Sequence, residues 1–172
     1  MGQTQQQFWN KWIPKKHNVF IWRFVQNRIP TRRNLIDMRM DIPSTLCPLC
    51  EVKEESSQHL FFECRVSSSF WSKLGCWWKV NIPTFHRNED PLDWSWFAVE
   101  KRREGLWFQV SIMAVLTSIW SIRNGAVFDN KKVVVDTEFC RIQELAFFWL
   151  RSRNRKFKME LNNWILNPKH NM

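Results

Sequence analysis

Apolar residues recur along this chain at the spacing of amphipathic helices rather than at the alternation typical of strands. In residues 16–28, the side chains of Phe20, Ile21, Phe24 and Val25 fall on one face of a helix. Similar spacing is found in residues 32–39, in the stretch from His59 to Trp78, in residues 103–123 and 134–154, and in a stub at 161–165. Four glycines and seven prolines are too few for the many tight turns of an all-β domain. The sequence therefore predicts a mainly α fold.

The first two helices are predicted to be separated by a helix breaker and a capping residue. Pro30 disfavours the α conformation of the residue before it, so we expect the first helix to end there. Thr31 is a suitable N-cap for the second helix. The apolar side of that second helix is predicted to consist of Leu35, Ile36 and Met38–Met40.

The apolar pattern of residues 103–123 predicts the longest apolar helix of the chain. The dipeptide Asn124–Gly125 is expected to stop or kink this helix. The run of 18 residues from Gly105 to Ile122 is at the lower limit for a membrane span, and it contains Gln109 and three serines. We therefore interpret it as the buried central helix of the C-terminal half, with a membrane span as the alternative. The preceding residues, 80–100, predict a loop with a short aromatic turn at 94–97.

The net charge of +10 is unevenly distributed, with +6 in residues 1–50, −3 in 51–100 and +7 in 101–172. Basic ends of this kind suit contact with a phosphate backbone. The alternative is an ordinary solvated basic surface, in which Arg stems cover aromatic rings and cations stabilise a helix C-terminus. The candidate phosphate contacts are Lys15, Lys16, Arg23, Arg28, Arg32, Arg33, Arg151, Arg153 and Arg155.

A metal-binding pattern is formed by Cys47, Cys50, His59 and Cys64, which read C-x2-C-x8-H-x4-C. Two cysteines two residues apart can occupy two corners of a tetrahedron from one turn, and His59 with Cys64 can supply the other two. Three thiolates and one imidazole form a closed shell typical of structural zinc, Zn²⁺, with no position left for a reactive water. The alternatives are a redox pair, or buried cysteines with an unrelated histidine.

The spacing between His59 and Cys64 restricts how a helix can present both of them. Five residues correspond to about 500° around an α-helix, so the two side chains would lie roughly 140° apart. We therefore expect a helix that begins near His59, is capped by Ser56 or Ser57, and has Cys64 at a bend or at the end of its first turns. The metal would then be held against a helix end.

The remaining cysteines and histidines carry no comparable pattern. Cys76 is expected to be a free thiol, Cys140 has no nearby histidine in the sequence, and His86 is expected on the surface. Five cysteines and a polar first segment without an apolar signal region suggest a reducing environment. We therefore expect an intracellular protein of the nucleus or cytoplasm, with residues 1–7 disordered.

Several ordered motifs resemble the reverse-transcriptase zinc-binding domain of plant LINE-type (non-LTR) retrotransposons over roughly residues 8–80. They are Trp22-Arg-Phe24, Asn27-Arg-Ile-Pro-Thr31, Asn34-Leu35, Cys47-Pro-Leu-Cys50, Glu54-Glu55, His59-Leu-Phe61, Cys64 and Phe70-Trp71. Residues 81–172 resemble the Trp-rich tail that often follows this domain, with an Ile-Trp-x2-Arg-Asn step at 119–124. The resemblance implies a zinc-binding domain at 8–80, a linker at 81–102 and a helical extension at 103–172.

Catalysis is not expected, because the chain has no Tyr and no Asp-Asp pair of the polymerase type, and it lacks phosphate-loop and hydrolase motifs. Its adjacent acid pairs, Glu54–Glu55 and Glu89–Asp90, are assigned to polar loops. Two functions remain open, neither with a membrane or a small-molecule substrate. One is a zinc-dependent module that binds RNA or DNA beside a reverse transcriptase. The other is a zinc-stabilised scaffold that docks on a polymerase, for instance through an exposed patch at 94–97.

Overall fold

A computed structural model describes residues 9–88, 90–94 and 102–169. The predicted disordered start at 1–7 lies outside these residues, as does most of the aromatic turn at 94–97. Within them the fold is helical and has no strand, as predicted. Seven α-helices are described: α1 Lys15–Val25, α2 Arg32–Asp37, α3 Arg65–Trp78, α4 Asp90–Trp94, α5 Arg102–Phe128, α6 Val135–Arg153 and α7 Leu161–Leu166. One turn of π-helix, His59–Glu63, precedes α3.

Helix α1 ends five residues before Pro30, which corrects the predicted end at residue 28. Asn27 adopts the left-handed conformation, with φ 52°. The Asn27 N–H donates to the Phe24 carbonyl (2.9 Å) and the Arg28 N–H donates to that of Arg23 (2.7 Å). This is a Schellman motif, in which asparagine takes the place of the more common glycine. The local cap therefore terminates the helix before proline can act.

Helix α2 has the predicted cap, but its apolar side is not buried. The Thr31 hydroxyl accepts from the N–H of Asn34, and the helix ends at Asp37 rather than at residue 39. No residue of α2 is buried, and Met38, just beyond it, is 60% exposed. Ile36, Met40 and Leu46 are also exposed. These apolar side chains therefore lie on the surface.

Helix α5 is the centre of the core, as predicted. It packs against α1, α3 and α6 and against the π-helical turn. Its middle is buried on all sides, as expected for a core helix. The segment Gly105–Phe128 has the length and composition to cross a membrane, with a mean hydropathy of 1.5, yet 67% of its apolar window is buried inside the fold. The helix runs through Asn124–Gly125 to Phe128, so the expected stop at that dipeptide is wrong, and the alternative of a kink stays a prediction.

The tryptophans of α3 and α7 join these two helices in one aromatic cluster. The Trp164 ring meets Trp77 edge-on at 5.0 Å and Trp78 at 5.9 Å, between ring centroids. The Trp77 indole N–H donates to the Trp164 carbonyl, and the Trp164 indole N–H donates to the carbonyl of Gln143. The C-terminal stub therefore docks back, as predicted. The interval 80–100, predicted as a loop, contains the short helix α4 in its described part.

Candidate metal centre

The first two cysteines lie on a tight loop closed by main-chain hydrogen bonds. The Cys47 N–H donates to the Lys53 carbonyl (2.7 Å), and the Glu51 N–H donates to the Cys47 carbonyl (2.8 Å). Glu51 adopts the left-handed conformation, with φ 56°, and reverses the chain after Cys50. A bridge between Leu46 and Glu54 closes the base of the loop. Both thiols therefore point from one turn in a common direction.

The other two candidate ligands are brought together by the π-helical turn. The Cys64 N–H donates to the His59 carbonyl at 2.7 Å, five residues back, which is the hydrogen bond of a π-helix. Five residues then span about one turn, so both side chains face the same side. The Ser56 hydroxyl accepts from the His59 N–H, and Cys64 has extended backbone angles (φ −60°, ψ 133°). The predicted cap and bend are confirmed, whereas the π-helical turn itself was not foreseen.

The four side chains converge on a common point. Their ligand atoms all lie within 4.8 Å of one another, and all four residues are buried. The sulfurs of Cys47 and Cys64 are 3.9 Å apart, and the Cys50 sulfur is 3.2 Å from His59 Nε2. Zinc–sulfur bonds of about 2.3 Å at tetrahedral angles would place two sulfurs about 3.8 Å apart. The donor set and its spacing therefore suit zinc.

The electrostatics of the cluster match a cation site. The Cys47 thiol donates a hydrogen bond to the Cys64 sulfur, and this bond lowers the pKa of Cys64 to about 5. The same bond, together with burial, raises the pKa of Cys47. Without a metal the pair thus shares one proton, and that proton must leave when a cation binds. His59 Nδ1 is buried and has no hydrogen-bond partner among the described residues, and it lies 3.9 Å from a carboxylate oxygen of Glu63.

Aromatic residues enclose the cluster and tie it to the helices. Leu60, Phe61 and Phe62 are buried within the π-helical turn. Phe61 packs edge-on against Phe24 of α1 at 4.6 Å, and the Trp71 indole N–H donates to the Phe61 carbonyl at 2.7 Å. The candidate metal centre is therefore part of the hydrophobic core.

A buried ion pair connects α5 to the ligand loop, which is residues 45–55 and carries Cys47 and Cys50. The Arg123 guanidinium donates to both carboxylate oxygens of Glu55, at 2.7 and 2.8 Å, and Glu55 is completely buried. One of these oxygens also accepts from the N–H of Arg32. Glu55 therefore lies in a loop, as predicted, but it is buried rather than in polar surroundings. The sequence feature that could have indicated this ion pair is the Ile-Trp-x2-Arg-Asn step, which contains Arg123. The guanidinium of Arg123 also stacks over the ring of Trp120, in the same step, at 4.9 Å.

The candidate phosphate-binding residues fall into two groups. Four are engaged within the fold: Arg28 lies over the Trp22 ring, Arg32 and Arg151 donate to the carbonyls of Leu46 and Phe157, and Arg33 pairs with Asp37 and Glu54. The others form no ion pair within the part of the chain that the structure describes, and each is exposed: Lys15, Lys16, Arg23, Arg153 and Arg155. Cys76, Cys140 and His86 are also exposed, and both thiols are free and lie outside the four-residue cluster.

The comparisons with known proteins agree with this site. Residues 2–71 match a family model described as zinc-binding in reverse transcriptase. The matched range contains all four converging residues and ends within α3. No curated protein and no solved structure matched the chain. The similarity thus covers the metal centre, α1, α2 and the first part of α3, and the match does not extend to α4 or the later helices.

Proposed function

We propose that this protein is a non-catalytic zinc-binding module derived from the polyprotein of a plant LINE-type retrotransposon, and that it binds nucleic acid inside the cell. The convergence of three buried sulfurs and one imidazole nitrogen is the observation that carries the proposal. A closed shell of this kind leaves no ligand position for a reactive water, which suits a structural rather than a catalytic metal. Cys47, Cys50, His59 and Cys64 would hold the ion, and zinc would cross-link the ligand loop to the start of α3.

Metal content tests the zinc assignment directly. Purified protein is expected to hold one zinc ion per chain, and Cys47→Ser is expected to lose it, because an alcohol is a poor replacement for a thiolate ligand. Cys140→Ser is the matched control, since that cysteine is exposed and lies outside the cluster. A metal-free wild-type protein that remains folded would contradict the assignment, as would equal zinc content in the two variants.

Nucleic-acid binding is supported by the net charge of +10 and by the exposed cations without carboxylate partners in the described structure. Binding through phosphates releases counterions, so the logarithm of the affinity should fall linearly with the logarithm of the salt concentration. The measurement is titration of labelled RNA and DNA with zinc-loaded protein between low and moderate salt. A salt-independent affinity, or no binding at low salt, would remove this part of the proposal.

A scaffold that docks on a reverse-transcriptase domain in trans is the second candidate function. The exposed apolar side chains around α2 favour it: Ile36, Met38, Met40 and Leu46. Exposed apolar groups of this kind often mark protein interfaces. The discriminating measurement is sedimentation of the protein alone across concentration, compared with Met38→Gln/Met40→Gln. The scaffold would be favoured if the wild-type protein associates with itself and the double variant does not. Neither protein should then bind nucleic acid.

A further inference from the structure

Two basic segments of this chain contain no acidic residue. Residues 9–36 contain seven lysines and arginines without an aspartate or glutamate. Residues 151–158 contain five, again without an acid. More than a hundred residues separate the two segments in the sequence, so the sequence alone does not indicate that they are neighbours.

The structure brings these segments together where α1 begins and α6 ends. The ring of His17, in the first turn of α1, lies 4.6 Å from the buried ring of Trp149, between centroids. Arg153 follows Trp149 by four residues and therefore lies on the same face of α6, one turn further along. Lys15 and Lys16 flank His17 on α1. The two acid-free segments thus meet at this ring contact, and we call the surface around it the α1–α6 junction.

Cations at the junction are not neutralised within the described chain. Lys15, Lys16, Arg153 and Arg155 are exposed and form no ion pair with any described carboxylate. Arg33, in contrast, is already paired with Asp37 and Glu54. Uncompensated like charges on one surface repel each other and attract a polyanion. The free cations therefore favour the junction over α2 as a phosphate-binding surface.

An exposed aromatic ring lies on α6 just before the second basic segment. Phe148 is 57% exposed although it belongs to the long helix α6. Arg151 follows it by three residues and Glu144 precedes it by four, so one guanidinium and one carboxylate neighbour the ring on the helix surface. Proteins stack unpaired bases on solvent-exposed rings near cations.

We propose that the α1–α6 junction is a binding track for single-stranded nucleic acid. Lys15, Lys16, Arg153 and Arg155 contact successive phosphates, and an unpaired base stacks on Phe148. This inference rests on the nucleic-acid-binding part of the proposed function and specifies its location and its substrate class. A duplex, whose bases are already stacked on each other, would use the cations but not the ring.

The test measures fluorescence anisotropy of a labelled 20-nucleotide oligouridine and of a 20-base-pair duplex across salt, with the full zinc-loaded chain. The junction variant combines Lys15→Gln, Lys16→Gln, Arg153→Gln and Arg155→Gln. Its control removes the same number of charges from exposed positions elsewhere: Lys53→Gln, Arg65→Gln, Lys79→Gln and Lys132→Gln. Circular dichroism confirms that both variants are folded.

For oligouridine, the slope of the logarithm of the affinity against the logarithm of the salt concentration is expected to be smaller by about 3 in the junction variant. Each lost single-strand phosphate contact contributes about 0.7 to this slope. The control is expected to change the slope by less than about 1. Phe148→Ala is expected to weaken oligouridine binding about fivefold or more, as for loss of one stacked base, and to leave duplex binding unchanged.

Three outcomes would contradict these expectations in distinguishable ways. A wild-type protein that binds neither probe removes nucleic-acid binding altogether, and this inference with it. Wild-type binding that the junction and control variants weaken equally removes the junction and leaves the proposed function intact. If Phe148→Ala weakens the affinity for both probes equally, or for neither, the preference for single strands is wrong.

Discussion

At the scale of single residues, the fold is decided by a few side chains whose surroundings change their chemistry. His17 is an example, because its ring lies partly buried between α1 and Trp149. Burial and the positive charge of Lys16 lower the pKa of His17 from 6.5 to about 4. The imidazole is therefore neutral at pH 7 and serves as a packing group.

This lowered pKa predicts acid sensitivity. Between pH 6.5 and about 4 the unfolded chain binds a proton at His17 that the folded chain does not, so this histidine makes stability fall as the pH falls through that range. His17→Phe keeps a ring against Trp149 and removes the titration. Urea midpoints of zinc-loaded protein from pH 7 to 5 should therefore fall less in the variant than in the wild type. Parallel curves would show that His17 does not titrate as described.

At the scale of elements, the ligand loop and α5 are joined by the buried pair of Glu55 and Arg123. Both carboxylate oxygens are used, and one of them also accepts from the first N–H of α2. A bidentate pair with an additional hydrogen bond satisfies most of the capacity of a buried carboxylate. Through this carboxylate, α2, the ligand loop and α5 are held in one arrangement.

Arg123→Met is expected to reduce the free energy of unfolding by about 3–5 kcal/mol, because it leaves the Glu55 charge buried without a partner. The double variant Arg123→Met/Glu55→Gln should recover part of this loss, since the neutral amide can still accept from Arg32. Urea unfolding of the zinc-loaded proteins gives both values. A loss below about 1 kcal/mol in the single variant would show that the carboxylate finds water or becomes protonated.

At the scale of the whole molecule, one hydrophobic core extends from α1 to α7 among the described residues. The π-helical turn contacts both α3 and α5, and the aromatic cluster of Trp77, Trp78 and Trp164 joins α3 to α7. The domain limits at 80 and 102 remain a prediction. The packing nevertheless indicates that the metal centre and the C-terminal helices share their stability.

Chelation of the metal is therefore expected to unfold both parts together. Structural zinc contributes about 10–16 kcal/mol of apparent binding free energy, as much as the total stability of a typical domain. Far-ultraviolet circular dichroism and the near-ultraviolet signal of the tryptophan cluster should be lost at the same chelator concentration. Tryptophan signals that persist after helicity has fallen would show two independent units. Re-addition of zinc, which should restore both signals, controls for aggregation.

The candidate site could be predicted from the sequence because the spacing of thiol and imidazole side chains is a local property of the chain. The turn around Cys47 and Cys50, the cap at Ser56 and the bend at Cys64 all depend on neighbouring residues, and each is confirmed. The π-helical turn that brings His59 and Cys64 to the same side was not foreseen. A competing local cap explains the early end of α1.

The sequence by itself determined the helical class, the four converging residues and the central helix. Hydrophobic periodicity and short-range ligand spacing are local properties that can be identified in the sequence. Only the tertiary structure decided that Glu55 is buried against Arg123, that the apolar side chains around α2 face outward, and that the two acid-free segments meet at His17 and Trp149. Each of these outcomes depends on which residues far apart in the chain come into contact. Side-chain type and spacing do not encode such contacts, since they depend on how all the helices pack at once.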